Sequence, residues 1–132
     1  MNAETAPPHT PFEALGGKPV IEQIVNRFYD LMDSDPAYAE LRAMHAPDLA
    51  PMRRSLAGWL TAWAGGPNDW FEQNPGKCVM SAHRGLGVTK ATARQWINAM
   101  GRAIAAAELE NQMLANELEN RLTMMAAAMT RD

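Results

Sequence analysis

The sequence predicts an all-α fold, and three observations carry that reading. Apolar residues recur at helical spacing in one stretch after another, and strand-like alternation is absent. The breaks between stretches hold glycine, proline or a capping side chain. No internal repeat divides the 132 residues, which suffice for one core and not for two.

Residues 1–9 carry Pro7-Pro8 and few apolar groups, and are expected to be a disordered lead-in to a single domain over residues 10–132. Thr10 before Pro11 predicts a helix start, with Glu13 completing a capping box, and Gly16-Gly17 ends that short helix. From Lys18, the residues Ile21, Ile24, Val25, Phe28, Leu31 and Met32 form one buried stripe, with Tyr29 at its edge. Asp35 and Pro36 restart a helix bearing Tyr38 and Leu41, which gives out near residues 44–48. Asp48 is expected to cap the next helix, whose apolar positions are Met52, Leu56, Trp59, Leu60 and Trp63. Gly65-Gly66-Pro67 stops it, glycine for a left-handed exit and proline to forbid continuation.

Residues 68–88 lack periodicity and predict a long irregular connection with one or two helical turns around His83. A connection that long in a small domain is usually functional. Thr89 caps a helix through Trp96, Ile97, Met100 and Ile104. Unbroken to Thr130 it would be about 60 Å long, too long for this domain, so a break is expected near residues 108–111. The last helix then buries Leu114, Leu118, Leu122, Met125 and Met129.

Composition narrows the function. The formal charge is −3, and the nearest thing to a basic face is Arg53-Arg54, so nucleic acid is not an expected partner. A single cysteine, Cys78, excludes an internal disulfide and fits a reducing compartment. The N-terminus lacks the charged and apolar regions of a secretory signal, and no apolar run approaches a membrane span. The expectation is a soluble, cytoplasmic chain with no membrane partner. Ten methionines and four tryptophans are unusual at this size. Methionine packs irregular cavities and large aromatics can wall a flat ligand, although a methionine-rich core is the plainer account.

The stretch "GKCVMSAHRGLGV", residues 76–88, holds His83. The other histidines, His9 and His45, lie too far along the chain for metal-ligand spacing, and no CxxC or HExxH occurs, so zinc lacks ligands. Cys78 and His83 are five apart on one segment and point to different faces of a helix, which argues against a Cys-His hydrolase. Haem is different: its macrocycle supplies four iron ligands, so the protein need contribute only one imidazole. Taken alone, His83 reads as a surface or helix-end histidine.

The ensemble resembles the group II truncated haemoglobins, short globins with a two-over-two helical sandwich around haem. The matching residues are "ALGGKPVIEQIVNRFYDLM", "LRAMHAPDL" and "AWAGGP", then His83 and Trp96. His83 lies sixteen residues after Pro67 and thirteen before Trp96, spacings that suit the family without a gap. The resemblance covers about residues 10–130. It implies haem b (iron protoporphyrin IX) as cofactor, His83 as proximal iron ligand, and Tyr29, His45 and Trp96 as a distal polar set. It also implies Met52 and Leu56 as an apolar ceiling over the gas, with Trp59 and Val79 against the haem. On their elements alone, Tyr29 reads as an amphipathic edge residue, Trp96 as core and His45 as a loop histidine. The family usually has an arginine just before the proximal histidine and Gly-His-Pro a little earlier. Here those places read Ala82 and "NPGK". Propionate pairing would then fall to Arg84, Arg53 or Lys77.

Phenol, indole and imidazole are donors that can be aimed at a gas that gains negative charge on binding iron. Each such bond contributes about 1.5–3 kcal/mol, enough to slow oxygen release roughly tenfold or more, and carbon monoxide would gain less. The implied function is reversible binding of oxygen and other diatomic ligands, carbon monoxide and nitric oxide, at a five-coordinate iron. Two rivals stay open. One is a redox enzyme on the same pocket, a nitric oxide dioxygenase or peroxidase-like catalyst served by a reductase. The other is a haem-free helical interaction module. A thioether from Met52, or the His45 imidazole, as sixth iron ligand would favour electron transfer.

Overall fold

The structure, a computed structural model, describes residues 10–69, 72 and 87–130. The lead-in expected over residues 1–9 lies outside them, as do Lys77, Cys78, Val79, Ala82, His83 and Arg84. The described residues are helical, with no strand among them.

Helix α1 spans Pro11–Leu15. The Thr10 hydroxyl accepts from the Glu13 amide at 3.2 Å, and Gly16 ends the helix at φ +112°, a conformation that glycine adopts without a steric penalty. A side chain at Gly16 would also strike Val20, its Cβ falling 2.5 Å from Cγ2. Helix α2, Lys18–Ser34, buries every apolar residue expected of it, and Tyr29 as well. A 3₁₀ turn, Pro36–Tyr38, is capped by Asp35, whose carboxylate accepts from the Ala37 amide at 2.9 Å. It leads into α3, Ala39–Ala43.

Helix α4 spans Ala50–Trp63. Its N-cap is Leu49, one residue later than expected. Asp48 still accepts from the Ala50 amide at 3.0 Å, so its carboxylate satisfies a first-turn donor from the preceding position. The stop at residues 65–67 stands, with Gly65 at φ +95°. Gly66 is needed for close approach: a Cβ there would fall 2.7 Å from the Phe12 ring of α1.

Helix α5, Lys90–Ala106, opens on a capping box made by Thr89 and Thr92. The break expected near residues 108–111 is present. Glu108 takes φ +51° and Asn111 caps α6, Gln112–Ala128, accepting from the Leu114 amide at 3.0 Å. Helix α2 packs on both α4 and α5, and α5 packs on α6, so the pair α2–α4 lies over the pair α5–α6. Between the pairs sits the core, in which Phe28, Ile24, Val25, Ala99 and Met100 are almost wholly buried. Tyr38 ties the layers together: its hydroxyl donates to Asn98 at 2.5 Å and accepts from Arg102, which also pairs with Asp35.

Candidate functional site

The core does not fill the space between the pairs. A cavity of about 320 Å³ opens among α2, the α3–α4 connection, α4, α5 and α6. That is the size of a small-molecule site. Its wall is mostly apolar: Leu41, Met44, Met52, Leu56 and Trp59 on one side, and Val88, Ala93, Leu122, Met125, Ala126 and Met129 on the other. Tyr29, His45, Ser55, Thr92 and Trp96 bring the polar groups. Six of the residues singled out from the sequence, Tyr29, His45, Met52, Leu56, Trp59 and Trp96, thus line one cavity although they span three helices and a turn.

Tyr29 reaches the cavity because it sits one position off the buried stripe of α2, next to Phe28, whose ring it meets edge-on at 4.9 Å. Trp96 projects from α5 and packs edge-on against the other part of Phe28 at 5.4 Å. A single ring with no solvent exposure, Phe28, is therefore packed against both donors. Neither the Tyr29 hydroxyl nor the Trp96 indole N–H has a hydrogen-bond partner among the described residues. Burial pushes the Tyr29 phenol up to about 12, against the opposing charge of Arg53, so it stays a protonated donor across the physiological range.

His45 lines the same cavity. Its ring lies 6.1 Å from that of Tyr29, and its Nδ1 stands 2.8 Å from the Leu41 carbonyl. A carbonyl only accepts, so Nδ1 is the nitrogen that donates in this contact. Arg53 does not line the cavity. It donates through Nη1 to the Asn26 carbonyl and side chain, and through Nη2 to Asp30 at 2.8 Å. Lys77, Val79, His83 and Arg84 lie outside the described residues.

Several wall residues carried no site signal in the sequence. Leu122, Met125 and Met129 follow the spacing of a core stripe, and nothing in spacing separates a face turned to a ligand from one turned to protein. Val88, Thr92 and Ala93 belong to the start of α5. Only Thr89 was legible there, as a cap. Among the described residues no three His, Cys, Asp or Glu side chains cluster to hold a bare metal ion.

The residues present fit a haem. A flat apolar group would meet Trp59, Leu56, Met125 and Met129, and the Tyr29 hydroxyl and Trp96 indole N–H on the same cavity have no partner among the described residues. Among the described residues no helix is long and apolar enough to cross a membrane.

The comparisons with known proteins agree with this geometry. The family model for bacterial-like globins matches residues 10–131. The group 2 truncated hemoglobin YjbI of Bacillus subtilis is 27% identical over 105 residues, covering 80% of this chain and 76% of that protein. The group II 2-on-2 hemoglobin of Agrobacterium tumefaciens superposes with a TM-score of 0.90 at 27% identity, covering 96% of this chain and 98% of that one. A truncated haemoglobin from Bacillus subtilis described as oxygen-avid superposes with a TM-score of 0.84 at 27% identity, over 93% of this chain and 100% of that one. Membership in the globins implies haem binding, and the two-over-two arrangement seen in the fold is that of these relatives. The chain belongs to the bacterial-like globin family, and its relatives there are group II truncated haemoglobins.

Proposed function

We propose that the cavity holds haem b with His83 as the axial imidazole, and that the protein binds oxygen reversibly on the side where Tyr29 and Trp96 stand. Haem, when bound, supplies an iron centre that takes diatomic gases. The chain supplies the selectivity. The Tyr29 phenol, kept protonated by burial, donates to the gas, and the Trp96 indole N–H is the second donor. Met52 and Leu56 bound the space available and exclude water, which strengthens both bonds. Trp59 and, from the segment that carries His83, Val79 are the apolar residues that would hold haem there. Arg84 and Lys77, near His83 in sequence, are the cations that would pair the propionates.

The observation that carries this reading is a pair of aromatic donors without protein partners on the wall of an apolar cavity in a globin fold. The relative described as oxygen-avid supports it. Oxygen dissociation from the ferrous protein is the test. Tyr29→Phe and Trp96→Leu should each speed it about tenfold or more, with a smaller effect on carbon monoxide. Unchanged oxygen off-rates in both variants contradict the proposal.

A further inference from the structure

Arg53 lies on α4, yet its side chain reaches back across the layer to α2. Nη1 donates to the Asn26 carbonyl at 3.1 Å and to its side-chain oxygen at 3.2 Å, and Nη2 donates to Asp30 at 2.8 Å. Asn26 and Asp30 are one turn apart on α2, so the planar guanidinium is held from two directions. That grip places it over the ring of Tyr29, with its central carbon 5.8 Å from the ring centroid. The ring also meets the rings of Phe28 and His45, and among the described residues Arg53 is the cation over its face.

We propose that Arg53 is a positioning residue for Tyr29: anchored by Asn26 and Asp30, its guanidinium fixes the phenol ring and polarises it toward the ligand its hydroxyl meets. The proposal rests on the reading of Tyr29 as a ligand donor. A cation over an aromatic face is attracted to the ring and draws electron density from it, which sharpens the O–H as a donor. Arg53 also pulls down the phenol that burial pushes up, the same influence acting on the same proton. Exposed Arg–Asp pairs contribute little to stability. The place of this pair beside the donor gives it a role that its strength alone does not. It also explains why a residue one position past Met52 turns away from the cavity: the next residue on a helix faces a different side, and here that side meets α2.

The experiment compares Arg53→Gln, Arg53→Lys and Asp30→Asn with the parent in two measurements. The first needs neither haem nor gas: carbon-13 NMR of the tyrosine rings in the full chain, which holds only Tyr29 and Tyr38. Arg53→Gln should move the Tyr29 signal and leave Tyr38 in place. Arg53→Lys should recover part of the shift, and Asp30→Asn should fall between. The second is the oxygen off-rate of the haem-loaded protein. It should rise about two- to fivefold in Arg53→Gln, and the same change in a Tyr29→Phe background should add nothing. An unmoved Tyr29 signal overturns the proposal, as does an off-rate that rises equally with and without the phenol. Should Arg53→Gln unfold the chain, Asp30→Asn carries the same comparison. Failure to bind haem would end the oxygen reading, while the NMR comparison would still decide whether Arg53 holds the ring.

Discussion

Helices α2 and α4 have the same kind of apolar stripe and meet opposite fates. On α2, Ile21, Ile24, Val25, Phe28, Leu31 and Met32 are all buried, none more than 6% exposed. On α4, Trp59 and Leu60 are buried, but Met52, Leu56 and Trp63 reach only partial burial. Spacing does not distinguish them; their surroundings do. Helix α2 is clasped between α4 and α5, whereas the face of α4 that carries Met52 and Leu56 opens on the cavity. Among the described residues, that stripe is left partly uncovered beside two donors without partners, which supports the proposed ligand site. Apolar area that remains wet has not yet contributed its stabilisation, and a bound flat group would claim it.

The sharpest way to break this contrast is to truncate one residue on each helix and unfold the haem-free chain in denaturant. Phe28→Ala removes a ring with no solvent exposure and should cost about 3–5 kcal/mol. Leu56→Ala, beside an existing cavity, should cost less than about 1.5 kcal/mol, because its neighbours already lack contacts on one side. Equal costs would make the α4 stripe ordinary core.

A smaller effect sharpens the contrast from the polar side, since Tyr29 is the one ionisable group of the α2 stripe. Its phenol is raised to about 12 in the fold, whereas an unfolded tyrosine titrates near 10. The unfolded chain therefore gives up this proton first. The contribution is fully present below pH 10 and is lost as pH rises toward 12, roughly 2–3 kcal/mol in all. Denaturant midpoints measured across that window should fall more steeply in the parent than in Tyr29→Phe. Parallel slopes would mean that the phenol is not held neutral by burial.

Most of the architecture was legible in the sequence because local chemistry dictated it. Thr10, Asp35 and Thr89 cap where a side-chain oxygen can reach a free amide, and Gly16 and Gly65 sit where the chain turns left-handed. Asp48 shows the limit. Its carboxylate is used at the start of α4, but Leu49 takes the cap position, a one-residue choice that pattern does not resolve. For the site, residue type alone left Tyr29 as an edge residue, His45 as a loop histidine and Trp96 as core, and the resemblance to a family grouped them. Pattern could not show that His45 Nδ1 meets the Leu41 carbonyl, or that Arg53 reaches back to Asn26 and Asp30 on α2. Both depend on how elements distant in sequence pack, and neither leaves a mark on spacing.

The claim beneath all of this is that the cavity between the helix pairs is a haem site. The direct measurement is an absorption titration of the full chain with haem, read in the ferrous state before and after carbon monoxide. The account predicts a Soret band that saturates at one haem per chain and shifts when the gas is added. A chain that develops no band, or one that carbon monoxide leaves where it was, contradicts it.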